Sequence, residues 1–162
     1  IWRNKKFNGK GYDEKGNIIY ELINGNGKVK EYKCQELIFE GEYLNGKRKK
    51  GKEYEFGNLI FEGEFLNGKK WTGKGKEYDH LDLIYEGEYL NGKRGGKGKI
   101  YSKGKIIYDG EFLNGEKNGK GKEYNSKGEL IFEGEYLTGK KWNGNGIDYF
   151  SDDEFFEYYS DI

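Results

Sequence analysis

The sequence predicts an all-β protein, an elongated single-layer antiparallel meander of tandem β-hairpins with a short helical cap at its C-terminal end. Three observations carry that prediction. First, the frame Phe61-Glu62-Gly63-Glu64-Phe65-Leu66-Asn67-Gly68 returns at residues 39–46, 85–92, 108–115 and 132–139, with Thr138 replacing Asn in the last. Its central glycines, Gly41, Gly63, Gly87, Gly110 and Gly134, lie 22, 24, 23 and 24 residues apart, and a fixed period of this size means one structural unit per repeat. Second, each frame alternates, so that Phe61, Gly63 and Phe65 share one side of a strand while Ile60, Glu62, Glu64 and Leu66 share the other. Third, glycine interrupts every copy at a cost of ~1 kcal/mol relative to alanine in a helix, which argues against helices.

The elements follow in order. Residues 1–16 read as the second half of a partial repeat, since Lys5-Lys6-Phe7-Asn8-Gly9 parallels Lys140-Lys141-Trp142-Asn143-Gly144. Residues 17–36 form a degenerate repeat in which Ile19-Tyr20-Glu21 runs directly into Leu22-Ile23-Asn24-Gly25, as terminal repeats often do. Five regular hairpins fill residues 37–150. Asn67-Gly68 supplies a turn at positive φ, and the return strand is Gly73-Lys74-Gly75-Lys76-Glu77-Tyr78, with counterparts at 96–101, 119–124 and 144–149. Trp71 and Trp142 read as extra residues in the first turn, and Lys49 stands where a first glycine is expected. Residues 151–162 leave the pattern; Asp152, Asp153, Glu154, Glu157 and Asp161 alternate there with Phe155, Phe156, Tyr158 and Tyr159, and a cap shielding the last strand edge is expected.

Composition narrows the functional classes. A hydrophobic fraction of 33% against 36% charged residues is poor material for a globular core, yet 15 Tyr and 10 Phe at recurring places argue against disorder. The 29 basic and 29 acidic side chains cancel, which leaves no global field for nucleic acid. The cancellation is uneven, because the acidic tail leaves residues 1–150 at +5. One cysteine, Cys34, excludes an internal disulfide framework and a cysteine zinc site. No stretch approaches the ~18 apolar residues of a membrane helix, and no signal peptide opens the chain. Methionine is absent, position 1 included, so the chain reads as a piece of a longer one. A cytoplasmic setting, with membrane or cytoskeletal association as a variant, is the expectation.

Residues 85–98, Tyr-Glu-Gly-Glu-Tyr-Leu-Asn-Gly-Lys-Arg-Gly-Gly-Lys-Gly, resemble the MORN (membrane occupation and recognition nexus) repeat, whose pattern is Tyr-Glu-Gly-Glu-Trp-x-x-Gly-x-x-x-Gly-x-Gly. The resemblance extends over about residues 17–149, with Tyr or Phe in place of the family's Trp. It implies a twisted single-layer sheet with an aromatic-lined groove, a role as scaffold, dimerisation module or binder of an extended or helical segment, and no chemistry in the repeat itself.

Candidate sites follow from these patterns. Gly92-Lys93-Arg94-Gly95-Gly96-Lys97 is the nearest approach to a phosphate loop, but it lacks the following Ser or Thr and opens no helix. The Glu-Gly-Glu pairs recur identically, whereas acid–base catalysis needs carboxylates in unlike environments. His80 and Cys34 stand alone in second turns. Neither cofactor, metal nor catalytic residue is expected. Two binding surfaces remain. The rings Phe39, Tyr43, Phe61, Phe65, Tyr85, Tyr89, Tyr108, Phe112, Phe132 and Tyr136 are expected to line a groove for a protein or peptide segment, which makes the protein a non-enzymatic scaffold or interaction module, with self-association as a variant. The alternative is a basic edge of Lys47, Arg48, Lys49, Lys50, Lys69, Lys70, Lys93, Arg94, Lys140 and Lys141 that meets anionic phospholipid. A third reading is that the array positions an enzyme lying outside these residues.

Overall fold

The computed structural model describes residues 8–147 and the strand at 155–158. The fold is all-β: an open antiparallel sheet whose strand order follows the chain order, with no helix among the described residues. Two compact units divide the chain, 1–75 and 76–162. The first holds β1 (Gly9–Tyr12), β2 (Ile18–Ile23), β3 (Asn26–Lys33), β4 (Glu36–Leu44), β5 (Lys47–Glu55) and β6 (Asn58–Leu66), and its boundary with the second falls inside β7 (Lys69–Asp79). The second continues with β8 (Asp82–Leu90), β9 (Lys93–Ser102), β10 (Lys105–Leu113), β11 (Glu116–Tyr124), β12 (Leu130–Leu137), β13 (Lys140–Ile147) and β14 (Phe155–Tyr158).

A row of glycines lies across each unit. In the first, Gly41 faces Gly51, Gly51 faces Gly63 and Gly63 faces Gly73. In the second, Gly98 faces Gly87 and Gly110, while Gly121 faces Gly110 and Gly134. This register corrects the sequence alignment: the partner of the central glycine is the first glycine of the return strand at Gly73 and Gly144, but the second at Gly98 and Gly121. The difference is absorbed by bulges. Lys49, Trp71 and Trp142 are single extra residues, whereas Glu88 and Glu111 each stand opposite a three-residue excursion, 95–97 and 118–120. There Gly96 and Gly119 adopt φ of 69° and 88°, and the Glu88 and Glu111 carboxylates accept the amides of Lys97 and Lys120 at 3.1 and 2.8 Å. A Cβ on Gly96 would lie 1.9 Å from the Glu88 carboxylate, so glycine is needed twice over.

First turns are uniform. Asn45, Asn67, Asn91 and Asn114 all take φ of 51–55° before a glycine, the backbone of tight hairpins. Successive first turns are also bonded to each other: the amides of Gly46, Gly115 and Gly139 donate to the carbonyls of Gly25, Arg94 and Lys117 at 2.8–2.9 Å. Residues 17–36, expected as a degenerate repeat, form the β2–β3 hairpin, and Tyr20 lies against Gly11 as other rings lie on their glycines. The expected helical cap is corrected to strand. β14 pairs with β13, placing Phe156 opposite Gly146 and Tyr158 opposite Gly144. Aromatic residues suit a strand, and the open ladder of β13 offers the backbone partners that a helix would leave unused.

Candidate functional site

The ring pairs are built by strand alternation and closed by edge-to-face packing. Within β6, Phe61 and Phe65 stand 5.2 Å apart at 81°, and Phe65 meets Phe39 at 5.5 Å and 87°. In the second unit the same herringbone runs from Tyr89 through Tyr85, Phe112, Tyr108 and Tyr136 to Phe132, with centroids 5.2–5.9 Å apart. This geometry sets the positive edge of one ring on the negative face of the next. Glycine makes it fit. A Cβ at Gly41 would lie 2.8 Å from the Phe39 ring and 2.2 Å from the Lys50 carbonyl oxygen, and at Gly121 it would lie 2.5 Å from the Tyr108 hydroxyl.

These rings are the core, which corrects the expectation of an exposed aromatic groove. Phe39, Tyr85 and Tyr108 are 0% exposed, and Phe61, Phe65, Tyr89, Phe112, Phe132 and Tyr136 are buried; Tyr43 is half-buried. What covers them is a row of cations from the strands after the first turns. Arg48 lies 4.5 Å above Phe39, Lys70 5.6 Å from Phe61, Arg94 4.3 Å above Tyr85, Lys117 4.5 Å above Tyr108 and Lys141 4.6 Å above Phe132. Each cation is held by an acid, and Glu31, Glu53 and Glu123 among these acids stand opposite rings. Arg48 donates to Glu31 at 2.9 Å through two nitrogens and to Glu53 at 2.6 Å, and Lys70 reaches Glu53 at 3.1 Å. Arg94 forks onto Glu77, while Lys117 and Lys141 share Glu123 at 2.5 and 3.0 Å. The Tyr43 and Tyr89 hydroxyls donate to Glu31 and Glu77.

Titration behaviour follows from this enclosure. Burial, reinforced by Glu77 and Glu88 against the opposing Arg94, raises the Tyr85 phenol to about 12, and burial with Glu111 and Glu123 raises Tyr108 to about 12. Burial and the bond to Glu77 push Tyr89 higher still. For Glu123, burial works against the charge, but Lys117 and Lys141 outweigh it and hold the carboxyl below its ordinary value.

Sequence reasoning missed the acids of this row. The signal was present as the dipeptides Glu31-Tyr32, Glu53-Tyr54, Glu77-Tyr78 and Glu123-Tyr124, broken only by Ile100-Tyr101. It also treated ten cations as one basic edge. Four of them, Arg48, Lys70, Arg94 and Lys141, turn over the rings and are neutralised there. Lys47, Lys49, Lys50, Lys69, Lys93 and Lys140 are exposed, Lys47 with its ammonium on the Asn67 amide oxygen at 3.2 Å. His80 is exposed with its ring on Asp79 at 2.9 Å, and Cys34 is exposed. Among the described residues no cluster of His, Cys, Asp and Glu is arranged to hold a metal.

The opposite face is where the sheet leaves concave space. In the first unit a trough of about 580 Å³ has Gly41, Gly51 and Gly63 along its floor and Lys28, Lys30, Glu40, Glu42, Lys50, Lys52 and Glu62 along its sides, with Ile18, Ile19, Tyr20 and Val29 at one end. In the second a trough of about 720 Å³ is lined by Asp109, Lys120, Gly121, Lys122, Glu133, Gly134, Glu135, Asn143, Gly144 and Asn145. Strands with paired lysines alternate with strands with paired acids, and cross-strand bridges Lys30–Glu40, Lys52–Glu62, Lys99–Asp109 and Lys122–Glu133 span 3.0–3.9 Å. All are solvent-facing, and water screens them to a small contribution.

A protein made of hairpins that each contribute one ring pair, one cation and one glycine step to a shared row is a β-repeat protein. Three consecutive stretches, 61–79, 85–105 and 108–129, match the model of the MORN repeat, so this part of the chain carries MORN repeats. The curated proteins contain no match to it. The MORN repeat is a non-catalytic module that generally mediates protein or membrane-lipid interactions.

Proposed function

We propose that this protein is a non-enzymatic interaction module that holds a partner protein segment against its Lys/Glu face. The supporting observation is the division of labour between faces. The rings that the family resemblance assigns to a groove are buried under Arg48, Lys70, Arg94, Lys117 and Lys141, whereas the glycine-floored troughs on the other face are open and lined by polar groups whose charges alternate strand by strand. Alternating charge selects a partner by register more than by bulk affinity, because a shift of one strand sets like against like. The test is site-specific photo-crosslinking in cells from Lys50 and Lys120, on the face, with Lys127 in a second turn as control. Crosslinks to a protein from the first two and not the third are expected. Crosslinks from all three alike, or only lipid adducts, overturn the reading.

A further inference from the structure

The face carries one feature that its charges do not explain. Leu90, Leu113 and Leu137 end the outgoing strands of the second unit and are 45%, 53% and 45% exposed. Each stands directly opposite the residue that opens the return strand: Lys93, Glu116 and Lys140. Residues directly opposite share a face, so the turn edge presents leucine at each hairpin, flanked in order by a base, an acid and a base. The spacing is held rigidly, since the Gly115 and Gly139 amides tie each first turn to the one before it. One hairpin is two strand spacings, ~9.6 Å. One helical heptad advances ~10.5 Å.

We propose that this edge docks an amphipathic helix of a partner protein that offers one apolar residue per heptad through three heptads, flanked by acidic, basic and acidic side chains in turn. Both the spacing and the charges favour this occupant. An acidic membrane would gain from Lys93 and Lys140 but would be repelled by Glu116 between them. A second copy of the chain, set parallel or antiparallel along the same row, would place lysine against lysine. The inference rests on the interaction reading above and names its partner class.

The experiment uses the whole chain and two synthetic three-heptad peptides with leucine once per heptad, one flanked acid–base–acid and the other base–acid–base, with binding followed by fluorescence anisotropy. The first peptide is expected to bind about tenfold more tightly than the second, as three charge pairs at the rim invert. Leu113→Asp should weaken it about tenfold, and Glu116→Lys should transfer preference to a peptide acidic in all three heptads. Circular dichroism should show both variants folded, because both positions are exposed. Equal binding of the two peptides, or unchanged affinity in Leu113→Asp, overturns the proposal. Sedimentation with phosphatidylserine vesicles in place of peptide binding overturns it in favour of lipid. Absence of peptide binding while protein crosslinks still form at Lys50 and Lys120 overturns this inference alone and leaves the wider reading in place.

Discussion

The ring face and the Lys/Glu face both carry acid–base pairs, and these pairs differ in how far water reaches them. On the ring face the Arg48–Glu31 pair has side chains 17% and 13% exposed; on the other, Lys122–Glu133 has 46% and 54%. The first kind of pair sits on aromatic rings and satisfies tyrosine hydroxyls, so losing one member strands several others. The second kind exchanges freely with solvent. One sheet thus buries a core without a second layer, because long cations act as the missing layer on one side, and this leaves the other side available for partners.

Truncation separates the two faces most directly. Tyr108→Ala should lower the unfolding free energy by about 3–5 kcal/mol, as for other buried aromatics, whereas Glu133→Ala should cost about 0.5 kcal/mol or less; urea melts measure both. Similar losses at the two positions would show that the faces are not distinct.

Next in size is removal of a covering cation. Arg94→Met keeps much of the apolar stem over Tyr85 but leaves Glu77 and the Tyr89 hydroxyl without the guanidinium, and should cost about 2 kcal/mol. Lys122→Met, on the other face, should be nearly neutral by the same assay.

Acidity sharpens the contrast further. Tyr85 and Tyr108 are raised from 10.0 to about 12, so their contribution is complete below the unfolded value and is lost as pH rises through the folded one. Stability should therefore fall between pH 10 and about 12, with tyrosinate absorbance appearing in the same transition. The carboxyl of Glu123 is lowered, so its contribution is present above the ordinary carboxyl value and disappears as pH falls through the depressed one.

The smallest effect is a gain. Glu53 stands opposite both Phe39 and Phe61, Glu123 opposite both Tyr108 and Phe132, but between Tyr85 and Tyr108 the position belongs to Ile100. Ile100→Glu should place a carboxylate between Arg94 and Lys117 and stabilise the protein by about 0.5 kcal/mol at neutral pH. A loss in thermal denaturation would show that the acid row is not a repeated requirement.

Much of this fold was legible beforehand for a local reason. Period-two alternation around Gly63 and the Asn-Gly pairs of the first turns, with Thr138-Gly139 in the last, constrain only near neighbours, and the hairpins formed where those signals stood. The site was less legible. Phe61 and Phe65 were assigned to one face correctly, but alternation says nothing about what lies above that face. Lys70 and Glu53 are 17 positions apart and meet only because one hairpin folds against the last. The glycine register failed similarly: Gly96 and Gly98 both belong to one Gly-Lys-Gly run, and pairing with Gly87 is what selects Gly98.

By itself, then, the sequence determined the repeat, its β-hairpin unit, the turns and the likeness of residues 61–129 to MORN repeats, because each rests on residues close in the chain. Tertiary structure alone decided which side of the sheet is core and which is surface. That choice depends on whether long cations from one hairpin reach the rings and acids of the next, and it is made by distances across strands.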